Sequence, residues 1–157
     1  MKIARRCLQS FCFKQIFSYS LIAALGLLIS ACGLQTERRG VPSDVEEAVR
    51  TITEDIASER YEKVYKEASD LWRQDATLEQ SIATFKTLRS RLGTVENRTL
   101  QSATEQQNSG GPLKGRVYIV SYQTKFQNGD GMESFTLVDR AGHWQLARYF
   151  VNSTALR

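Results

Sequence analysis

Val117-Tyr118-Ile119-Val120-Ser121-Tyr122-Gln123-Thr124-Lys125-Phe126 runs directly into Gln127-Asn128-Gly129-Asp130-Gly131. Tyr118, Val120, Tyr122 and Phe126 share one parity, the period of a strand that buries one face. Asn128-Gly129-Asp130-Gly131 is a hairpin signal, because tight turns demand backbone angles that Asn, Asp and Gly adopt cheaply. It predicts a return strand from Met132 to Asp139. A second turn, Asp139-Arg140-Ala141-Gly142, leads into another strand from Trp144 to Val151. On the N-terminal side, beyond the break Gly110-Gly111-Pro112, Val95 to Gln107 reads as a polar, weakly alternating strand. Together these segments predict a four-stranded antiparallel meander.

Before Gly93 the period is helical. Ser43 and Glu46 form a capping-box pattern ahead of Val45, Val49, Ile52 and Ile56, whose spacing places them on one helix face. A second helical stretch is expected from about Arg60 to Trp72, with Tyr61, Val64, Tyr65, Ala68, Leu71 and Trp72 on a broad apolar face. A third starts at Thr77, with Gln80 in the box position, and stops at Gly93, where a residue of positive φ belongs. Helices first and meander second define an α+β domain over residues 43–157, three N-terminal helices packed on a curved sheet.

The first 42 residues have another character. Arg5, Arg6 and Lys14 precede an apolar run from about Tyr19 to Ile29, the form of a secretory leader and too short for a permanent span. Ile29-Ser30-Ala31-Cys32-Gly33 ends the run and resembles the bacterial lipobox. That resemblance implies a signal peptide over residues 1–31, alkylation of the Cys32 thiol by a diacylglyceryl group, and acylation of the freed amine with a fatty acid such as palmitate. Several acyl chains on one residue give stable anchoring. Gly33, where inner-membrane lipoproteins often carry Asp, implies the outer membrane if the host is Gram-negative. Residues 32–42 lack periodicity and read as a tether.

The chain has 21 Lys and Arg against 17 Asp and Glu. Its basic excess resides in Lys2, Arg5, Arg6 and Lys14, so a chain starting at Cys32 is formally neutral. Charges of both signs alternate, as in Glu59-Arg60-Tyr61-Glu62-Lys63, which argues against a nucleic-acid face. The cysteines are Cys7, Cys12 and Cys32, so the mature chain has no pair to form a disulfide and must rely on its apolar core.

Arg89-Ser90-Arg91-Leu92-Gly93-Thr94-Val95 with Arg98, the strands Val117 to Phe126 and Glu133 to Val138, Gly142-His143-Trp144 and Tyr149-Phe150 resemble a family of exported bacterial domains of unknown function. Members commonly carry Trp within the third helix, where this chain has Ser81-Ile82. The element order also resembles the nuclear transport factor two-like cone, in which helices close the concave side of a sheet. Neither resemblance implies a catalytic motif, a cofactor or a substrate.

His143 is the one histidine and any imidazole chemistry must use it, with a carboxylate such as Asp70 or Asp139. Its place just after a turn suits an exposed residue better. No spacing of metal ligands and no phosphate loop is present. The aromatics are the richest set. Most belong to a core, and Tyr65, Trp72, Tyr118, Tyr122 and Trp144 are candidates to line a ligand site between helices and sheet. The expected role is a noncatalytic interaction or scaffold module, lipid-anchored in the envelope with an envelope-protein partner. The alternative is a carrier or sensor of a small apolar ligand.

The leader generates the first prediction. Intact mass after expression shows a lipid-sized increment on a chain beginning at Cys32, and Cys32→Ala abolishes both the increment and membrane fractionation.

Overall fold

The computed structural model describes residues 40–157; the leader, Cys32 and most of the tether lie outside the described residues. The elements are α1 (Ser43–Ala57), α2 (Tyr61–Glu67), α3 (Asp70–Asp75), α4 (Leu78–Leu92), β1 (Val95–Asn108), β2 (Gly115–Phe126), β3 (Gly129–Arg140) and β4 (His143–Ser153), closed by a single 3-10 turn at Thr154–Leu156. The strands form one antiparallel sheet in the order β1-β2-β3-β4. The α+β meander expected from the periodicity is the observed fold.

α1 buries Val45 and Val49 and leaves Ile52 and Ile56 half-buried against the same core. Its outer face carries Arg50 between Glu47 and Glu54, neighbours one helical turn away. The capping box expected at Ser43 does not form. Ser43 is already helical, and the helix is started by Pro42, whose carbonyl accepts from Glu46 N at 2.9 Å. The box at Thr77 does form: Thr77 N donates to Gln80 Oε1 at 2.9 Å, and Gln80 N donates to Thr77 Oγ1 at 3.3 Å.

The helix expected from Arg60 to Trp72 is interrupted. Ala68 and Ser69 are extended and buried, and Ser69 N donates to Leu146 O of β4 at 2.9 Å. One backbone bond to the sheet thus replaces the continuing helical ladder. The break redirects the chain so that Leu71 joins a cluster with Val117, Val138 and Ala147, while Trp72 joins the principal core. There the Trp72 ring stacks on Phe85 at 5.9 Å and its Nε1 donates to Ser81 Oγ at 3.0 Å.

α4 ends at Gly93, whose φ of 76° suits glycine and whose absent Cβ would lie 2.7 Å from Gln127 Cβ. That close approach lets the β2–β3 turn, Gln127-Asn128, serve the end of the helix. Asn128 N donates to Leu92 O at 3.0 Å and Asn128 Nδ2 to Arg91 O at 3.0 Å, satisfying carbonyls that the helix leaves open. The turn lies just before the glycines of the predicted hairpin signal, and Gly129 to Gly131 are already in β3.

Alternation in β4 predicts Trp144, Leu146 and Phe150 on one side. The pairing Leu137↔Leu146 followed by Thr136↔Arg148 leaves Ala147 as an extra residue, a bulge that reverses the parity beyond it. Tyr149 therefore turns inward, with its ring 4.9 Å from Phe135, and Phe150 is 60% exposed. The core centres on Val45, Val49, Tyr61, Val64, Phe85, Tyr118, Val120, Phe135, Leu137 and Leu146.

The bulge sets an asymmetry between two phenylalanines. Phe135→Ala is expected to cost about 3–5 kcal/mol as a large core truncation, and Phe150→Ala to stay within about 0.5 kcal/mol, measured as denaturant midpoints of the purified protein.

Candidate functional site

β3 places Glu133 on the same parity as Phe135 and Leu137, so its carboxylate enters the helix-covered side of the sheet with no exposed surface. A buried carboxylate must be paired and hydrogen-bonded to stay charged. Three strands supply the partners. From β1, Arg98 Nε donates to Glu133 Oε2 at 2.6 Å and Arg98 Nη2 to Oε1 at 3.2 Å, a two-point clasp that suits the planar guanidinium. From β2, Thr124 Oγ1 donates to Oε2 at 2.6 Å. From β4, Tyr149 OH donates to Oε1 at 2.5 Å. Each carboxylate oxygen thus accepts two hydrogen bonds.

Burial pushes the Tyr149 phenol well above its ordinary value, and the Glu133 charge and hydrogen bond push the same way, against a smaller opposing pull from Arg98. The phenol is held as a donor.

This cluster lies at a cavity of about 530 Å³ that opens to solvent. Thr53, Ile56 and Ala57 of α1 and Tyr61 of α2 line it, with Phe85, Leu88, Arg89 and Leu92 of α4. The sheet contributes the start of β1 through Arg98, then Phe126, Glu133 and Tyr149. Its size is that of small-molecule sites, and its lining has their composition, apolar walls with a few placed polar groups.

Two of those polar groups are free. Among the described residues, the Arg89 guanidinium makes no ion pair or hydrogen bond, and the Tyr61 hydroxyl has no hydrogen-bond partner. Tyr61 is otherwise tightly held, its ring stacked on Phe85 at 5.3 Å. Its phenol is raised, first by burial and then by the charge of Glu59, with Arg89 pulling the other way. It remains a proton donor at neutral pH.

The candidate ligand-site aromatics lie elsewhere. Tyr118 is buried in the core and meets the Trp144 ring edge-on. Tyr122 is half-buried and meets Phe135 edge-on. Trp72 is stacked on Phe85, and Tyr65 is half-buried on α2. Trp144 donates from Nε1 to Asp44 Oδ2 at 2.8 Å under the guanidinium of Arg116, and it lines a second, smaller hollow of about 160 Å³. None of the five lines the larger cavity. His143 is exposed at the start of β4. Asp70 pairs with Arg73 and Asp139 with Arg116, so neither carboxylate orients the imidazole. Among the described residues, no group of three or more His, Cys, Asp or Glu is placed to hold a metal ion.

A family model matches residues 48–149, from α1 through Tyr149. The chain belongs to the DUF4019 family, proteins of unknown function. The matched stretch of the DUF4019 domain contains all four members of the carboxylate cluster and all of the cavity lining. No curated protein matches the chain.

In the sequence Glu133 reads as one more strand residue, although its parity with Phe135 and Leu137 marks an inward carboxylate. Arg98 stands out in the sequence only through the family resemblance. Its connection to Glu133 depends on a register irregularity in β1 between Val95 and Asn97, which no local pattern announces.

Two measurements probe the cluster. Arg98→Met, which strands a buried carboxylate, is expected to cost about 3–5 kcal/mol, and adding Glu133→Leu to recover much of the loss. At alkaline pH, the raised Tyr149 phenol contributes stability that is complete below the ordinary tyrosine pKa of about 10 and is lost as pH rises above it. Phenolate absorbance should accordingly show a component that ionises only as the fold opens, and Tyr149→Phe should reduce that component by one tyrosine.

Proposed function

We propose that this DUF4019 protein is a lipid-anchored envelope module that holds a small, mainly apolar molecule between its helices and its sheet, as a carrier or sensor. The observation that carries the proposal is the cavity of about 530 Å³ whose deepest polar group, Glu133, is already satisfied by Arg98, Thr124 and Tyr149. A carboxylate with four accepted hydrogen bonds is a poor general base, because accepting a proton would break part of the cluster that holds it. The cluster instead fixes the shape of the wall. Ile56, Leu88, Leu92, Val95 and Phe126 give that wall its apolar character.

The helices laid over one side of the meander support a cone of the nuclear transport factor two-like kind, in which such a cavity is the open end. The lipid anchor rests on the lipobox at Cys32, and Gly33 favours the outer membrane of a Gram-negative host. No described helix is long and apolar enough to cross a membrane. A scaffold role is the second proposal, and it draws on the other side of the sheet, where Met132 of β3 and Phe150 of β4 are exposed two residues apart in register.

Native mass spectrometry of protein extracted in mild detergent tests the first proposal. A reproducible small-molecule increment is expected on the wild type and a reduced one on Ala57→Trp, which puts an indole at the cavity mouth. Only the bare mass, from protein released under conditions that preserve noncovalent complexes, would count against a carrier.

A further inference from the structure

Resting on the ligand-holding proposal, we infer that the cavity selects an anionic amphiphile: an apolar chain ending in a single acidic group, bound by Arg89 and the Tyr61 hydroxyl. Charge is unevenly compensated around the cavity. Glu133 is spent on Arg98. Glu96, the other acid in the lining, is paired with Lys125 at 3.0 Å. Arg89 is left as the uncompensated charge of the lining, and it is half-buried on α4.

A guanidinium on an apolar cavity wall keeps its full donor capacity while losing part of its water, so it favours a carboxylate or phosphate over a neutral group. Tyr61 adds a second donor with no partner among the described residues. The two are electrically close enough for Arg89 to lower the phenol's pKa against the effect of burial. Two unpartnered donors and no unpartnered acceptor charge disfavour a cation. The apolar wall between them and Phe126 takes the chain of the ligand. Glu59 also acts on Tyr61 but is outside the cavity lining, so it does not occupy the place of the acidic group.

The full-length protein, delipidated of bound material and held in mild detergent, is titrated calorimetrically with decanoate, decanol and decyltrimethylammonium. Decanoate is expected to bind best. Arg89→Gln should weaken decanoate about tenfold or more, as for a lost charge-assisted hydrogen bond, and leave decanol unchanged. Tyr61→Phe should weaken it severalfold, and Arg89→Lys should retain most of the affinity. Arg89 makes no ion pair among the described residues, so its variants should melt with the wild type, which shows that the fold is kept. Equal binding of decanoate and decanol, or decanoate binding indifferent to Arg89→Gln, overturns the inference while leaving a neutral-ligand carrier standing. Failure of all three probes overturns both proposals.

Discussion

A carboxylate without solvent contact organises this domain. Removing Glu133 from water carries a desolvation cost of several kcal/mol that only close, correctly directed donors can offset. Those donors come from the other three strands, so the full cluster cannot form until β1, β2 and β4 are all in register with β3. The cluster's contribution to net stability is modest for the same reason: attraction and desolvation largely cancel. What it does contribute is specificity, since a slip of one residue in any strand would leave a charged group buried without its partners.

Satisfying Glu133 shapes the space above it. Arg98 and Tyr149 lean toward the carboxylate, and the bulge at Ala147 is what brings Tyr149 to that side. The helices then cover the sheet through Phe85, which stacks on Tyr61 and Trp72 and also faces Tyr149 at 6.0 Å. Toward Gly93 this cover thins, because α4 ends there and β1 departs with an irregular start. The cavity sits at that thinning. It is the product of a helix terminus held by the Gln127-Asn128 turn and a wall held by an ion pair, both fixed features of the fold. A space bounded in this way persists without a ligand, so binding need not carry the cost of forming it.

The sequence yields the order and type of elements well because each rests on a local period or a turn residue. Thr77 with Gln80, Gly93, and the Tyr118-to-Phe126 alternation each declare themselves within a few positions. The failures are equally specific. Ser69 breaks a helix that its neighbours favour, because a bond to Leu146 O and the burial of Leu71 on a separate cluster outweigh helix propensity. Phe150 is misplaced by a bulge at an alanine, a residue that carries no bulge signal. The candidate ligand-site aromatics pack mostly in or against the core, as large rings in a disulfide-free domain tend to do, and a count of aromatics along the chain does not tell a core ring from a cavity ring. The lining itself comes from residues of ordinary appearance, and what distinguishes Arg89 is the absence of an ion-pair partner among the described residues, which no sequence pattern encodes.

Asp55 provides the contrast that gives Arg89 its meaning. It too is a charged group inside a helical layer, almost fully buried near the α1–α2 turn, but Arg60 Nη2 lies 2.5 Å and Lys63 Nζ 3.0 Å from its oxygens. Burial raises its pKa, yet the hydrogen bonds and charges of Lys63 and Arg60 lower it further, leaving the carboxyl below its ordinary value. It therefore supports the fold above the usual aspartate range and loses that contribution as pH falls through its own lower pKa. Asp55 and Glu133 are thus both compensated from within. A fold that neutralises its buried acids this thoroughly has the means to pair Arg89 as well, and the free guanidinium on the cavity wall is where that internal compensation stops.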